Sequence, residues 1–292
     1  MNVTQATAQI GSSTRSGLRS LSDGWTITSI IIAALVAIPI ITVIGLALSP
    51  EENIWQHLVA TVLPRYVRTT LALMIGVGIG TLIIGVGTAW IVTTCKFPGR
   101  KIFEWALLLP LAIPAYVIAF LYTDVLEFAG PIQGMLRDMF GWSSPRDYWF
   151  PEIRSLGGAI IMMTLVLYPY VYMLARAAFL EQSFGVLEVS RTLGRGPWQS
   201  FFSVALPLAR PAIVIGLSLV MMETLNDFGT VDFFAVGTLT LGIFDVWMNM
   251  NNVGGAAQIA VLMLFFVLLL IWAERFARRK QRFHHTTSRH KS

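Results

Sequence analysis

Long unbroken runs of apolar residues, separated by shorter polar stretches, organise this chain. Runs at about 25–48, 67–94, 103–122, 156–180, 212–230 and 256–276 each come near the twenty or so residues that a helix needs to cross about 30 Å of hydrocarbon. The runs are continuous and do not alternate apolar with polar, so they predict helices and not barrel strands. An all-α membrane protein with about six transmembrane helices is expected. The polar stretches set the remaining divisions: a Ser/Thr-rich tail over 1–24, a membrane domain over 25–276 and a basic tail over 277–292. The first tail has the composition of a flexible segment. The first run is longer than the apolar core of a signal peptide and follows a long polar stretch, so it reads as an uncleaved anchor.

Composition and charge narrow the class. Of 292 residues, 55% are hydrophobic and 13% charged, with a mean hydropathy of +0.67. A soluble domain carries roughly 25% charged residues, so lipid is the main solvent here. A net charge of +5 raises nucleic acid as a partner. The basic residues lie instead in short loops and tails, which is an orientation signal. Arg15 and Arg19 precede the first run. Lys96, Arg100 and Lys101 follow the second, Arg191, Arg195 and Arg210 follow the fourth, and a basic cluster from Arg275 to Lys291 ends the chain. The alternate loops are poorer, the one holding Asp232 and Asp245 having no Lys or Arg. Both termini are therefore expected in the cytoplasm, together with the segment between the fourth and fifth runs. A single cysteine, Cys95, rules out an internal disulfide and reads as a small buried apolar residue. No metal site is expected: His284 and His285 belong to a solvated tail.

The segment at about 183–211 is the most structured of the polar stretches. Val186, Val189 and Leu193 fall at helical spacing. Gly194 then ends that helix, and Gly196-Pro197 starts another, with Pro197 at its first position. Trp198, Phe201, Phe202, Ala205 and Leu206 recur at i, i+3, i+4, i+7 and i+8, one apolar face. Pro207 and Pro211 are expected to break the chain before it returns to the membrane. Two short helices at a glycine hinge follow from this pattern, and an interfacial amphipathic connector satisfies it equally well.

The spacing of Glu188, Val189, Ser190, Gly194, Val204, Leu206 and Pro207 resembles the EAA loop of ABC-importer permeases. Pro110 to Pro114, the Leu167-Tyr-Pro-Tyr-Val-Tyr172 run and Met222 to Thr230 resemble the iron(III) branch of that superfamily; thiamine, spermidine/putrescine and sulfate permeases share the architecture. The resemblance implies a type I ABC-importer permease fold in a bacterial inner membrane, with a second permease half, two ATP-binding subunits and an extracytoplasmic solute-binding protein as partners. It implies that Glu188, Ser190, Gly194, Val204, Leu206 and Pro207 couple the chain to an ATP-binding subunit. In that scheme Glu188 holds the loop through Arg191 or Arg195, Gly194 is the hinge, and Pro207 sets the angle of return to the membrane. Permeases of the iron(III) branch are often twice as long, and the residues from Arg282 onward resemble the linker between their halves, so the chain is expected to be one six-helix half or a subunit that pairs with another. It lacks a phosphate-binding G-x-x-x-x-G-K-[ST] loop. ATP and Mg belong to the partner subunit, no cofactor is expected on this chain, and no enzymatic activity. A secondary carrier or channel is the rival reading, and a membrane scaffold a third.

Polar residues inside the runs remain. Glu223, Asn226, Asp227 and Thr230 fall at i, i+3, i+4 and i+7 of the fifth run, with Glu223 about 17 Å deep at 1.5 Å per residue, near the midplane. One reading is a wall of the translocation path offering oxygen ligands to a hard cation; the other is a hydrogen-bonded contact between helices. Gly76, Gly80, Gly85 and Gly87 predict close helix packing in the second run. Pro110, Pro114 and Pro169 are expected to kink their helices, and Tyr168 and Tyr172 to pack on one face. Trp142, Tyr148, Trp149 and Phe150, in a long outer loop over about 123–155, read either as an aromatic belt or as a surface for an external partner.

Overall fold

Every regular element in the computed structural model, which describes residues 24–50, 52–182, 194 and 196–279, is helical. In chain order these are α1 (Gly24–Leu48), α2 (Trp55–Ala60), α3 (Leu63–Thr94), α4 (Arg100–Ala106), a 3-10 turn (Leu109–Ala112), α5 (Ala115–Leu126), α6 (Pro131–Phe140), α7 (Leu156–Glu181), α8 (Pro197–Ser200), a π-helical turn (Phe201–Ala205), α9 (Leu206–Asn226), α10 (Gly229–Phe233), α11 (Leu239–Phe244), a second π-helical turn (Asp245–Asn249) and α12 (Val253–Arg279). Six segments among the described residues are long and apolar enough to cross a membrane: Gly24–Leu48, Leu63–Thr94, Ala115–Phe140, Leu156–Glu181, Trp198–Asn226 and Val253–Ala277.

The centre is built from α3, α7 and α9. Lipid tails are as apolar as leucine, so helices in a bilayer associate through close van der Waals approach, and small residues permit it. Gly76, Gly80 and Gly85 of α3 face Ile160, Thr164 and Val171 of α7. A Cβ at Gly85 would come within 2.9 Å of the Tyr168 carbonyl oxygen, so the two backbones meet directly there. Gly216 of α9 brings its backbone to Val171 in the same way. Gly87 faces open space and takes no part in this seam. Tyr168 and Tyr172 are buried against it, and the Tyr172 hydroxyl donates to the Glu104 carbonyl oxygen at 3.1 Å. A second apolar cluster of Leu58, Leu239, Val246 and Ile259 joins α2, α11 and α12. Helix α1 has no buried residue and is apolar all round, the composition of a helix surrounded by lipid.

The third run departs from expectation. No single helix covers 103–122. Ile113 is extended (φ −118°, ψ 131°), as a residue before proline prefers, and Pro114 opens α5. Pro110, lacking an N–H, stands at the start of the 3-10 turn. The two prolines therefore divide the run instead of kinking it, and the helical path continues into the stretch read as a loop, where α6 ends at left-handed Gly141 (φ 70°). Pro169, by contrast, stays inside an unbroken α7. Cys95 is exposed and not buried, because α3 ends one residue earlier and Cys95 leaves in extended conformation.

Candidate functional site

Of the residues expected to couple this chain to a partner, Glu188, Val189 and Ser190, with Arg191 and Arg195, lie outside the described residues. Gly194 is exposed with φ 79°, in the left-handed region where glycine alone is free of strain. Pro197 opens α8, as its fixed φ favours. From there the chain runs without interruption through the π-helical turn into α9. The expectation that Pro207 and Pro211 break the chain is therefore overturned: both prolines are helical. The Leu206 N–H bonds the Phe201 carbonyl five residues back, a change of register. The absent N–H of Pro207 falls at this change, where the α-type ladder is already interrupted.

The apolar face expected over Trp198–Leu206 is split. Phe201 and Ala205 are buried, Val204 and Leu206 are half-buried, and Trp198, Phe202 and Pro207 are exposed. Only one side of this stretch is covered, by the ends of α3 and α7. Phe201 packs there against Trp90 (ring centres 5.0 Å apart) and Phe179 (6.4 Å), and Trp90 meets Phe179 edge-on at 5.4 Å, so the three rings form a triangle. Gln182, just past α7, donates to the Ala205 carbonyl oxygen at 2.9 Å, tying the end of α7 to the π-helical turn. Six residues before Gln182, Arg176 reaches the Glu104 carboxylate at 3.2 Å, which Arg100 shares at 3.4 Å, and Arg100 also donates to the Thr93 carbonyl oxygen at 3.3 Å. Sequence reasoning missed this whole assembly. Arg176, a charge inside an apolar run, was the one signal that could have found it; Trp90, Phe179 and Phe201 come together only through the fold.

The fifth helix also differs from expectation. It starts earlier than residue 212 and ends at Asn226. Asp227 turns away (φ −65°, ψ 127°), and its carboxylate accepts from the N–H groups of Thr230 (2.9 Å) and Val231 (3.1 Å) and from the Thr230 hydroxyl (3.0 Å). It thus fastens the first turn of α10. Glu223, Asn226, Asp227 and Thr230 therefore form no single stripe: Asp227 is engaged, Thr230 is buried, and only Glu223 and Asn226 stand exposed on the last turn of α9. Glu223 sits three residues from the helix end, not halfway along it. The Tyr170 hydroxyl approaches its Oε1 at 3.5 Å.

In the loop before α7, Trp142 stacks between Phe140 (4.7 Å) and Tyr148 (4.8 Å), and the Tyr148 hydroxyl donates to Gln133 Oε1. The aromatic residues read as a belt or docking surface thus split: Trp142 and Tyr148 stack with Phe140, Phe150 is half-buried and Trp149 is freely exposed. Among the described residues, no three His, Cys, Asp or Glu side chains gather to hold a metal ion.

Residues 81–282 match the family described as the binding-protein-dependent transport system inner membrane component. The chain belongs to that family. It is a permease subunit of an ABC importer, a multi-pass membrane protein and not an enzyme; the family description implies the inner membrane. This permease is 30% identical over 218 residues to the Fe(3+)-transport system permease protein FbpB 2 of Haemophilus influenzae, a match covering 74% of this chain and 38% of that protein. It is 28% identical to the molybdenum transport system permease protein ModB of Escherichia coli, over 68% of this chain and 88% of that one. The sulfate permease CysT of Escherichia coli is 29% identical over 68% of this chain and 72% of its own length. Among solved structures, a bacterial ABC transporter that imports the acidic polysaccharide alginate superposes with a TM-score of 0.71 at 14% identity, over 91% of this chain and 99% of that one. The methionine transporter MetNI superposes at 0.56 with 20% identity, over 75% and 95%.

Proposed function

We propose that this permease passes iron(III), received from an extracytoplasmic binding protein, in a complex with a second permease half and two ATP-binding subunits. The 183–211 segment is the contact with one ATP-binding subunit, and the end of the bundle where α3 and α7 finish faces the cytoplasm. ATP binding closes the motor pair and shifts the population between outward- and inward-open states. The membrane domain is 25–276, with basic residues over 277–292.

Glu223 carries the choice of cargo. Between Pro211 and Asn226 it is the only charged residue. It is exposed on the last turn of α9 with a tyrosine hydroxyl beside it. A carboxylate so placed attracts a hard cation, which takes oxygen ligands, and repels molybdate or sulfate. A single carboxylate is also too weak a site to trap the ion. An oxyanion is the second reading, favoured by the match to ModB over most of that protein's length.

Proteoliposomes holding the assembled complex distinguish these. Iron(III) uptake should require ATP and stop with vanadate, and Glu223→Gln should lower it about tenfold, on the order of 1.4 kcal/mol of charge interaction. ATP-driven uptake of molybdate or sulfate instead of iron would overturn the cargo and leave the coupling intact. Uptake indifferent to ATP would overturn both.

A further inference from the structure

Beyond the chain joint with α7 at Gln182, the stretch from Pro197 has two routes into the membrane domain. One is the continuous helix from Pro197 to Asn226. The other is sideways, through Phe201. We propose that Phe201, packed against both Trp90 and Phe179, is the positioning residue that passes movement of this segment to α3 and α7, so that the three central helices shift as one body. This rests on the reading of 183–211 as the ATP-binding subunit's contact.

The geometry supports it in three ways. First, the three rings are 7%, 8% and 6% exposed, so the joint is dry and well packed although it lies at the bundle's edge. Edge-to-face and tilted rings resist sliding more than aliphatic side chains do, because their interaction depends on orientation. Second, each ring stands near an end of its element: Trp90 four residues before the end of α3, Phe179 two before the end of α7, and Phe201 at the start of the π-helical turn. A push on the segment thus reaches both neighbours before it travels along α9. Third, the bodies beyond the joint are stiff. Gly85 and Gly216 bring α3 and α9 to the α7 backbone, Gly76 and Gly80 seat α7 side chains closely, and Glu104 ties α4 to α7 through Arg176. The π-helical turn, with its altered hydrogen-bond register, is the softer route. Movement carried only through it would be absorbed in part by bending.

The test uses the full complex of this permease with its ATP-binding subunits and binding protein, and reads solute taken up per ATP hydrolysed. Wild-type complex that neither hydrolyses ATP nor transports overturns the functional reading itself, apart from the joint. With wild type active, Phe201→Ala should leave ATP hydrolysis within about twofold and lower uptake per ATP by about tenfold, while Phe201→Leu, which refills the space without a ring, should recover part of it. An unchanged ratio, or hydrolysis and uptake falling together, overturns the proposal. If Phe201→Ala does not assemble, Trp90→Phe decides: it keeps an aromatic ring but shortens the bridge, and should lower the ratio about threefold. An unchanged ratio in that variant, or its failure to assemble, would mark the cluster as a fold element only.

Discussion

Gly194 and Asp227 are both single residues with a definite local requirement, and each makes a test at its own scale. At Gly194 the requirement is conformational: φ is 79° and a Cβ would meet nothing within 4 Å among the described residues. Gly194→Val should therefore cost about 1–2 kcal/mol of loop conformation, and Gly194→Asn much less, because Asn tolerates the left-handed region. ATP-driven uptake by the two variants checks this; equal loss in both would show that the partner excludes any side chain there. At Asp227 the requirement is hydrogen bonding. Asp227→Ala should lower the stability of the detergent-solubilised protein by about 1–2 kcal/mol, and Asp227→Asn by less. A thermal-unfolding series measures it, and loss of uptake at unchanged stability would return Asp227 to the translocation path. The sequence spacing of Glu223, Asn226, Asp227 and Thr230 concealed this role. An i, i+3, i+4, i+7 pattern describes one face only if the helix is continuous, and an aspartate three residues before an available N–H competes with that continuity.

Among elements, α3 shows what was legible and why. Its glycines predict close packing because an apolar helix in lipid has few other reasons to carry them, and three of the four do pack. Which glycine stands apart depends on helix rotation relative to α7, which local spacing does not encode. The contrast gives a prediction with opposite signs. Gly85→Ala places a methyl group against the α7 backbone and should destabilise the protein by about 1–3 kcal/mol. Gly87→Ala meets open space and should be neutral or stabilising by up to about 1 kcal/mol, since alanine is the better helix former. Apparent melting temperatures of the two variants in detergent report the difference. Prolines were less legible than glycines. Pro110 and Pro114 interrupt their run, whereas Pro169, Pro207 and Pro211 are absorbed within helices. The difference lies in what surrounds each one, α7 being packed along its length and Pro207 falling at a register change.

At the scale of the whole molecule, six apolar segments were readable because the demand of lipid for internally satisfied backbone leaves a strong imprint on sequence, whereas the permease architecture was readable only through the resemblance carried by Glu188 to Pro207 and its companion motifs. The assembly at the ends of α3, α7 and α8 was not, because Trp90, Phe179 and Phe201 meet through the packing of separate spans, each unremarkable within its own. The unbroken path from Pro197 to Asn226 has a mechanical consequence. With Phe201 locking α9 to α3 and α7, the three helices form one lever, about 33 Å long from Phe201 to Glu223 at 1.5 Å per residue. A swing of about 10° would carry Glu223 through about 6 Å, a distance comparable with the width of a hydrated ion. Small strokes at one rim of the protein would thus be magnified into gate-sized displacements at the other.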